Sequence, residues 1–229
     1  MKHTEREMQS LREEVRQMWK QVLSQLEKAK QSFLNNDVEL ALEIISREKR
    51  VDAFELKIDS DCENYIALYS PVAVDLRLVL SLIKISSTLE RIGDFAAGIA
   101  RHVIDDGCNK AETVLIEELQ IEKMFDTLTG MLSDGFVALE SENTRISGKI
   151  LAKDAEVDEI YNNAIDVLTN CLTANPASIR YGLKLLLVIR KLERIGDHCS
   201  NIIEEIVFYV DAKVLKHNGR KGDENRIVD

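Results

Sequence analysis

The sequence predicts an all-α protein built as two tandem three-helix bundles related by an internal repeat. Three observations predict it. Helix breakers are scarce: 229 residues contain 2 Pro and 10 Gly, and the first of each, Pro71 and Gly93, lie far into the chain. Leu, Ile, Glu, Lys, Arg and Ala, mostly good helix formers, dominate the composition. The pentapeptide Glu-Arg-Ile-Gly-Asp occurs at 90–94 and again at 193–197, a spacing of 103 residues.

Each copy of the pentapeptide has matching surroundings. A Pro stands upstream, Pro71 or Pro176, preceded by an N-cap type, Ser70 or Asn175, which places each Pro in the first turn of a helix. Apolar residues at helical spacing then run into the motif. Upstream of each Pro lies an acidic amphipathic segment, starting near Val51 and near Asp154, and before that a further helical stretch, Leu11–Leu34 or Val114–Leu139. Six helices are expected, at 4–35, 38–68, 71–105, 111–140, 144–174 and 176–214, with breaks at 35–37, 70–71, 106–107, 141–143 and 175–176. Short breaks favour antiparallel neighbours. The expected units are 1–107 and 108–215, followed by a polar, flexible tail at 216–229.

Composition excludes several classes of function. A net charge of −10 and a pI near 5.0 give no generic attraction to nucleic acid or anionic lipid. No run approaches the roughly 20 apolar residues of a membrane span, so the chain is not membrane-embedded. The polar first ten residues are unlike a secretory signal. Cys62, Cys108, Cys171 and Cys199 have no Cys-x-x-Cys spacing and read as reduced thiols of a cytoplasmic protein.

The repeated motif suggests a metal site. Residues four apart share a helix face, so Glu90 with Asp94, and Glu193 with Asp197, each present two carboxylates together. The preceding helix of each half supplies further pairs at the same spacing: Glu55 and Asp59, and Asp154 and Asp158. Two facing pairs make a four-carboxylate pocket, suited by its oxygen donors to Mg²⁺, Mn²⁺ or Fe. Asn201 would extend the second site; Gly98 stands at the matching place in the first. Gly93 and Gly196, each costly inside a helix, suggest close helix packing. The alternative is simple surface pairing of Arg91 with Asp94 and of Arg194 with Asp197. His102 and His198 follow the motifs at different offsets and read as ordinary helix residues. Trp19, Met18 and Val22 read as packing or a dimer contact, Asp75 and Arg77 as structural, and Cys199 as a small core residue.

The duplicated Glu-Arg-Ile-Gly-Asp, the Pro-Val-Ala-Val-Asp-Leu-Arg start of the third helix (71–77) and the acidic second helix of each half resemble the PhoU family over nearly the whole chain. The resemblance implies a PhoU-like fold of two three-helix repeats in a cytoplasmic, homodimeric regulator of phosphate uptake. It further implies partners: the ATPase subunit of the phosphate ABC transporter and a sensor histidine kinase of a two-component system, between which the protein acts as a negative regulator. It adds iron or zinc clusters to the candidate metals. No catalytic role is expected, because the chain has neither a Gly-x-x-x-x-Gly-Lys-Ser/Thr loop nor a Gly-x-Ser-x-Gly elbow. Two other readings stand beside this one. A di-metal carboxylate enzyme lacks its usual Glu-x-x-His signature here. A metal-free helical interaction module would leave the carboxylates solvated.

Overall fold

The computed structural model describes residues 3–106 and 113–214. An unbroken run of helix formers carries α1 from His3 to Asn35, and its buried stripe runs Leu11, Val15, Met18, Trp19, Val22, Leu26, Ala29 and Phe33. That three-to-four spacing is what an amphipathic helix needs to bury one face. Asn36 takes φ 52 to turn the chain, and Asp37 caps α2 (Val38–Tyr69) by accepting the Leu40 N–H at 2.9 Å. Ser70, at φ 44, ends α2 with its N–H on Ile66 O. α3 spans Ala73–Asp106, so Pro71 stands two residues before the helix rather than in its first turn. Ala73 at φ 48 absorbs the change of direction there. In the second half Pro176 opens a 3-10 turn (Pro176–Ser178) that leads into α7 (Ile179–Asp211).

The helix expected at 111–140 is two helices, α4 (Thr113–Glu118) and α5 (Ile121–Ser141). Leu119 and Ile121 are both buried. Two residues apart on one helix they would point in nearly opposite directions. Gln120 at φ 51 breaks the helix so that both reach the core. A 3-10 turn (Thr144–Ile146), entered through the Asn143 side chain, then leads into α6 (Ser147–Ala174). Every described element is helical. The expected tail at 216–229, Cys108, and the start of the fourth helix at 111 lie outside the described residues.

Helices α1, α3, α7 and α5 pack in a ring of neighbours, with α2 laid on α1 and α3, and α6 on α5 and α7. The two halves share one apolar core. Trp19 shows how tightly they join: its Nε1 donates to Leu132 O at 3.0 Å, its ring meets Phe136 edge-on at 5.8 Å, and a Cβ on Gly135 would lie 3.3 Å from it. Trp19, Met18 and Val22 are therefore packing residues inside the chain. Across the central α3–α7 contact, Ser81 Oγ donates to Glu205 O at 3.2 Å, Lys84 binds both Glu205 oxygens, and Arg77 Nε donates to Tyr209 O at 3.3 Å. Arg77 is structural, as its place in the sequence suggested. From the same Tyr209, bonds of 2.7–2.8 Å among its hydroxyl, Arg12 and Glu142 join α7 to α1 and to the end of α5.

Trp19→Phe removes the donor of a buried carbonyl. It is expected to lower the unfolding free energy by roughly 1–3 kcal/mol in urea titration. An unchanged midpoint would show that the indole bond contributes nothing to the joint between the halves.

Candidate metal centre

The motif glycines set the geometry. A Cβ on Gly93 would stand 3.2 Å from Gln25 Oε1 and 3.4 Å from Val51 Cγ1; one on Gly196 would stand 2.6 Å from Asp154 Oδ1 and 3.7 Å from Val157 Cγ1. The tight neighbour is thus Gln25 of α1 at Gly93 and Asp154 of α6 at Gly196, while Val51 of α2 and Val157 of α6 face the two glycines at ordinary contact distance. Val51 and Val157 are equivalent anchors, each followed by an aspartate, Asp52 or Asp158. From Val51 to Gly93 is 42 residues, whereas from Val157 to Gly196 is 39, so the first half carries three extra residues between anchor and motif.

The valine facing the glycine, not the residue count between them, sets which acids meet. In the antiparallel α2–α3 register, Glu48 pairs with Arg101, Asp52 lies by Asp94, Glu55 by Glu90, and Asp59 by Ser86. Oxygens of Asp52, Glu90 and Asp94 all lie within 4.8 Å of one another, and all three side chains are half-buried. Asp52 therefore belongs to the first cluster. Glu55 flanks it, and Asp59, expected as a ligand, lies about a turn beyond Glu55 toward the start of α3. The Ser86 hydroxyl bonds Ile83 O on its own helix, and Asp59 Oδ1 is buried without a partner.

The second half brings Asp158, Glu193 and Asp197 within electrostatic reach of one another, with Asp154 at the edge. Its carboxylates do not converge to the distance of the first set. Asp154 Oδ2 accepts the Ser200 hydroxyl at 2.7 Å, while Oδ1 is buried without a partner. Ser200 thus joins this site; Asn201, expected there, is exposed. Arg194 pairs with Asp197 at 3.1 Å and Glu193 at 3.7 Å, the surface pairing foreseen as the alternative; Arg91 reaches Glu90 at 3.6 Å. His198 stacks on Phe95 across the α3–α7 contact at 5.7 Å, and burial depresses its pKa. His102 stacks on Phe33 at 5.9 Å.

Glu90 and Asp94 in the first half, and Asp154, Asp158 and Glu193 in the second, are held above the ordinary carboxylate range. Burial, then Asp94 and Glu55, push Glu90 up to about 7. Burial, then Glu48 and Asp52, raise Asp94. In the second half burial, then Asp158 and Asp197, raise Asp154 to about 6 against the opposing Ser200 bond. Burial and then Asp197 raise both Asp158 and Glu193. Like carboxylates crowded in a half-buried groove repel, and a cation between them would relieve that repulsion. The donors are oxygens only, which fits a hard cation. Asp52 was legible in principle: Glu48-x-x-x-Asp52 repeats the spacing of Asp154-x-x-x-Asp158, with a valine before the second acid in each.

Comparison with known proteins gives a consistent result. The family profile described as PhoU domain matches twice, at residues 15–103 and 121–206. The chain is 33% identical over 218 residues to the phosphate-specific transport system accessory protein PhoU of Escherichia coli (strain K12), covering 95% of this chain and 88% of that protein. It is 32% identical to the PhoU homolog of Aquifex aeolicus, covering 93% and 95%. The crystal structure of PhoU from Pseudomonas aeruginosa superposes with a TM-score of 0.82 at 26% identity, covering 91% of this chain and 99% of that one. The phosphate transport system regulatory protein PhoU from Streptococcus pneumoniae gives 0.80 at 26% identity, covering 94% and 100%.

Raised carboxyl pKa values have a definite sign. Glu90 titrates near 7 in the folded chain and near the ordinary value of roughly 4.3 when unfolded. Between those values the folded state binds more protons, so stability falls as pH rises through the window. In chelator, the melting temperature is expected to be higher at pH 5 than at pH 8, and Glu90→Gln to flatten that slope. A wild-type profile that rises with pH across this range would contradict the assignment.

Proposed function

The chain belongs to the PhoU family, and on that footing we propose that it is a cytoplasmic, non-enzymatic regulator of phosphate uptake. It acts by association. Its partners are the ATPase subunit of the phosphate ABC transporter and a sensor histidine kinase, and its effect on the phosphate response is negative. The names of its relatives, accessory and regulatory proteins of phosphate transport, support this reading. A homodimer is the proposed working unit.

The observation that carries the metal-binding part is the convergence of Asp52, Glu90 and Asp94. These three would hold the ion, with Glu55 beside them, and Asp158, Glu193, Asp197 and Asp154 form the corresponding set of the second repeat. A bound Mg²⁺, Mn²⁺, Fe or Zn²⁺ would supply the positive charge that the crowded carboxylates lack. The chain's own contribution is to hold the carboxylates on rigid helices, pressed together by the glycine contacts. A metal-free helical interaction module is the second reading. The Arg194–Asp197 pair favours it, because in the second repeat a protein cation already neutralises a motif acid.

Metal content by mass spectrometry, on protein purified without chelator, tests the metal reading. Wild type is expected to carry stoichiometric metal. An Asp52→Ala/Glu90→Ala/Asp94→Ala variant, still helical by circular dichroism, is expected to lose part of it. Metal-free wild type would leave the metal-free module. The adaptor role is tested separately, by co-purification with the transporter ATPase and the kinase in low and high phosphate. Absence of both partners in either condition would contradict it.

A further inference from the structure

The first half of α7 differs in character from the rest of this acidic chain. Between Ile179 and Leu192 it carries Arg180, Lys184, Arg190 and Lys191 and no acid, in a protein of net charge −10. Ile179, Leu183 and Leu187, spaced four apart, are 44%, 55% and 55% exposed. They form one apolar stripe over about two helical turns, roughly 12 Å long. Arg180 and Arg190 are exposed at its ends. Beyond Leu187 the stripe runs toward the place where α3 packs antiparallel on α7 and Gly98 meets Lys191. Burial and nearby Arg101 both depress the pKa of Lys191, so positive charge is crowded at this edge of the stripe.

The matching positions of the first repeat show what is missing. There Arg77 binds Tyr209 O and Lys84 binds Glu205, so both cations are used inside the molecule. Counting 103 residues on, Arg180 stands for Arg77, Leu183 for Leu80 and Leu187 for Lys84. His102 of α3 stands where Glu205 would be matched, so the pair of positions equivalent to Lys84 and Glu205 has neither the cation nor the acid. An exposed leucine replaces an internal ion pair.

We propose that this face of α7 docks an acidic amphipathic helix of a partner protein. Leucine- or isoleucine-type side chains of that helix would lie on Ile179, Leu183 and Leu187, and its flanking Asp or Glu would meet Arg180 and Arg190. Helix-in-groove recognition uses apolar anchors at this spacing, and charge complementarity sets the approach. A partner helix fits better than an anionic membrane because the stripe is narrow and aliphatic, without the Trp or Phe common on membrane-lying helices. The proposal rests on the reading that the chain works by association, and is independent of metal binding.

The test is fluorescence anisotropy with a labelled helical peptide of about eighteen residues, Leu on one face and Glu on the other. Wild type, Leu183→Glu/Leu187→Glu and Arg180→Glu are compared at physiological salt, with circular dichroism confirming that each is folded. Saturable binding by wild type, weakened about tenfold or more by either variant, is the expected result. Equal binding by a folded variant, or no binding by wild type, would overturn the proposal. So would loss in the same variants of binding to phosphatidylglycerol vesicles while the peptide is ignored, since that assigns the face to membrane. None of these failures touches the family's accessory role, which co-purification with the transporter ATPase reads directly.

Discussion

The close approach of each acidic helix to the motif glycine is the contact on which the rest of the site depends. With no Cβ at Gly93 or Gly196, Gln25 and Asp154 come close to the backbone of α3 and α7, and Val51 and Val157 pack beside them. The aspartates that follow those valines, Asp52 and Asp158, lie beside the motif acids. Motif and groove are therefore one device. The glycine supplies proximity, and the Glu and Asp on either side of it supply the charge that proximity makes costly. Gln25, buried against Gly93 with neither amide atom partnered, shows how far packing overrides polar satisfaction here.

A cost of this kind needs a rigid frame. The shared core, continuous from α1 to α7, provides it. Trp19 ties α1 to α5, and the Ser81, Lys84 and Arg77 contacts tie α3 to α7, so neither motif helix can drift from its neighbours to relax the repulsion. The two repeats are alike in backbone plan and unlike in chemistry. The first draws three carboxylates together and ties its outer acid, Glu48, to Arg101. The second spreads its acids, holds Asp154 with Ser200, and pairs Asp197 with Arg194. The exposed leucines of α7 are a further difference between the repeats.

Much of this was legible in the sequence. The repeat, the periodicity and the positions of the two prolines located the helices, because those signals are local and helix formation is local. What escaped were consequences of packing. The break at Gln120 has no Gly or Pro to announce it; it exists because Leu119 and Ile121 must both be buried. Asp59 was expected in place of Asp52 because a spacing counted on one helix says nothing about the register of its neighbour, and the segment between anchor and motif is three residues longer in the first half. Ser200 was missed in favour of Asn201 because only the crossing of α6 over α7 selects which of two adjacent residues turns inward.

The most direct test of the central claim, that glycine-set packing makes Asp52, Glu90 and Asp94 one cation site, is the thermal midpoint in Mn²⁺ against chelator. It would be measured near pH 7.5 on wild type, Asp52→Asn and Asp59→Asn. A cation that binds only the folded chain raises the midpoint. The account predicts a clear rise for wild type and Asp59→Asn and a much smaller one for Asp52→Asn. A rise lost in Asp59→Asn but kept in Asp52→Asn, or no rise in any of the three, would contradict it.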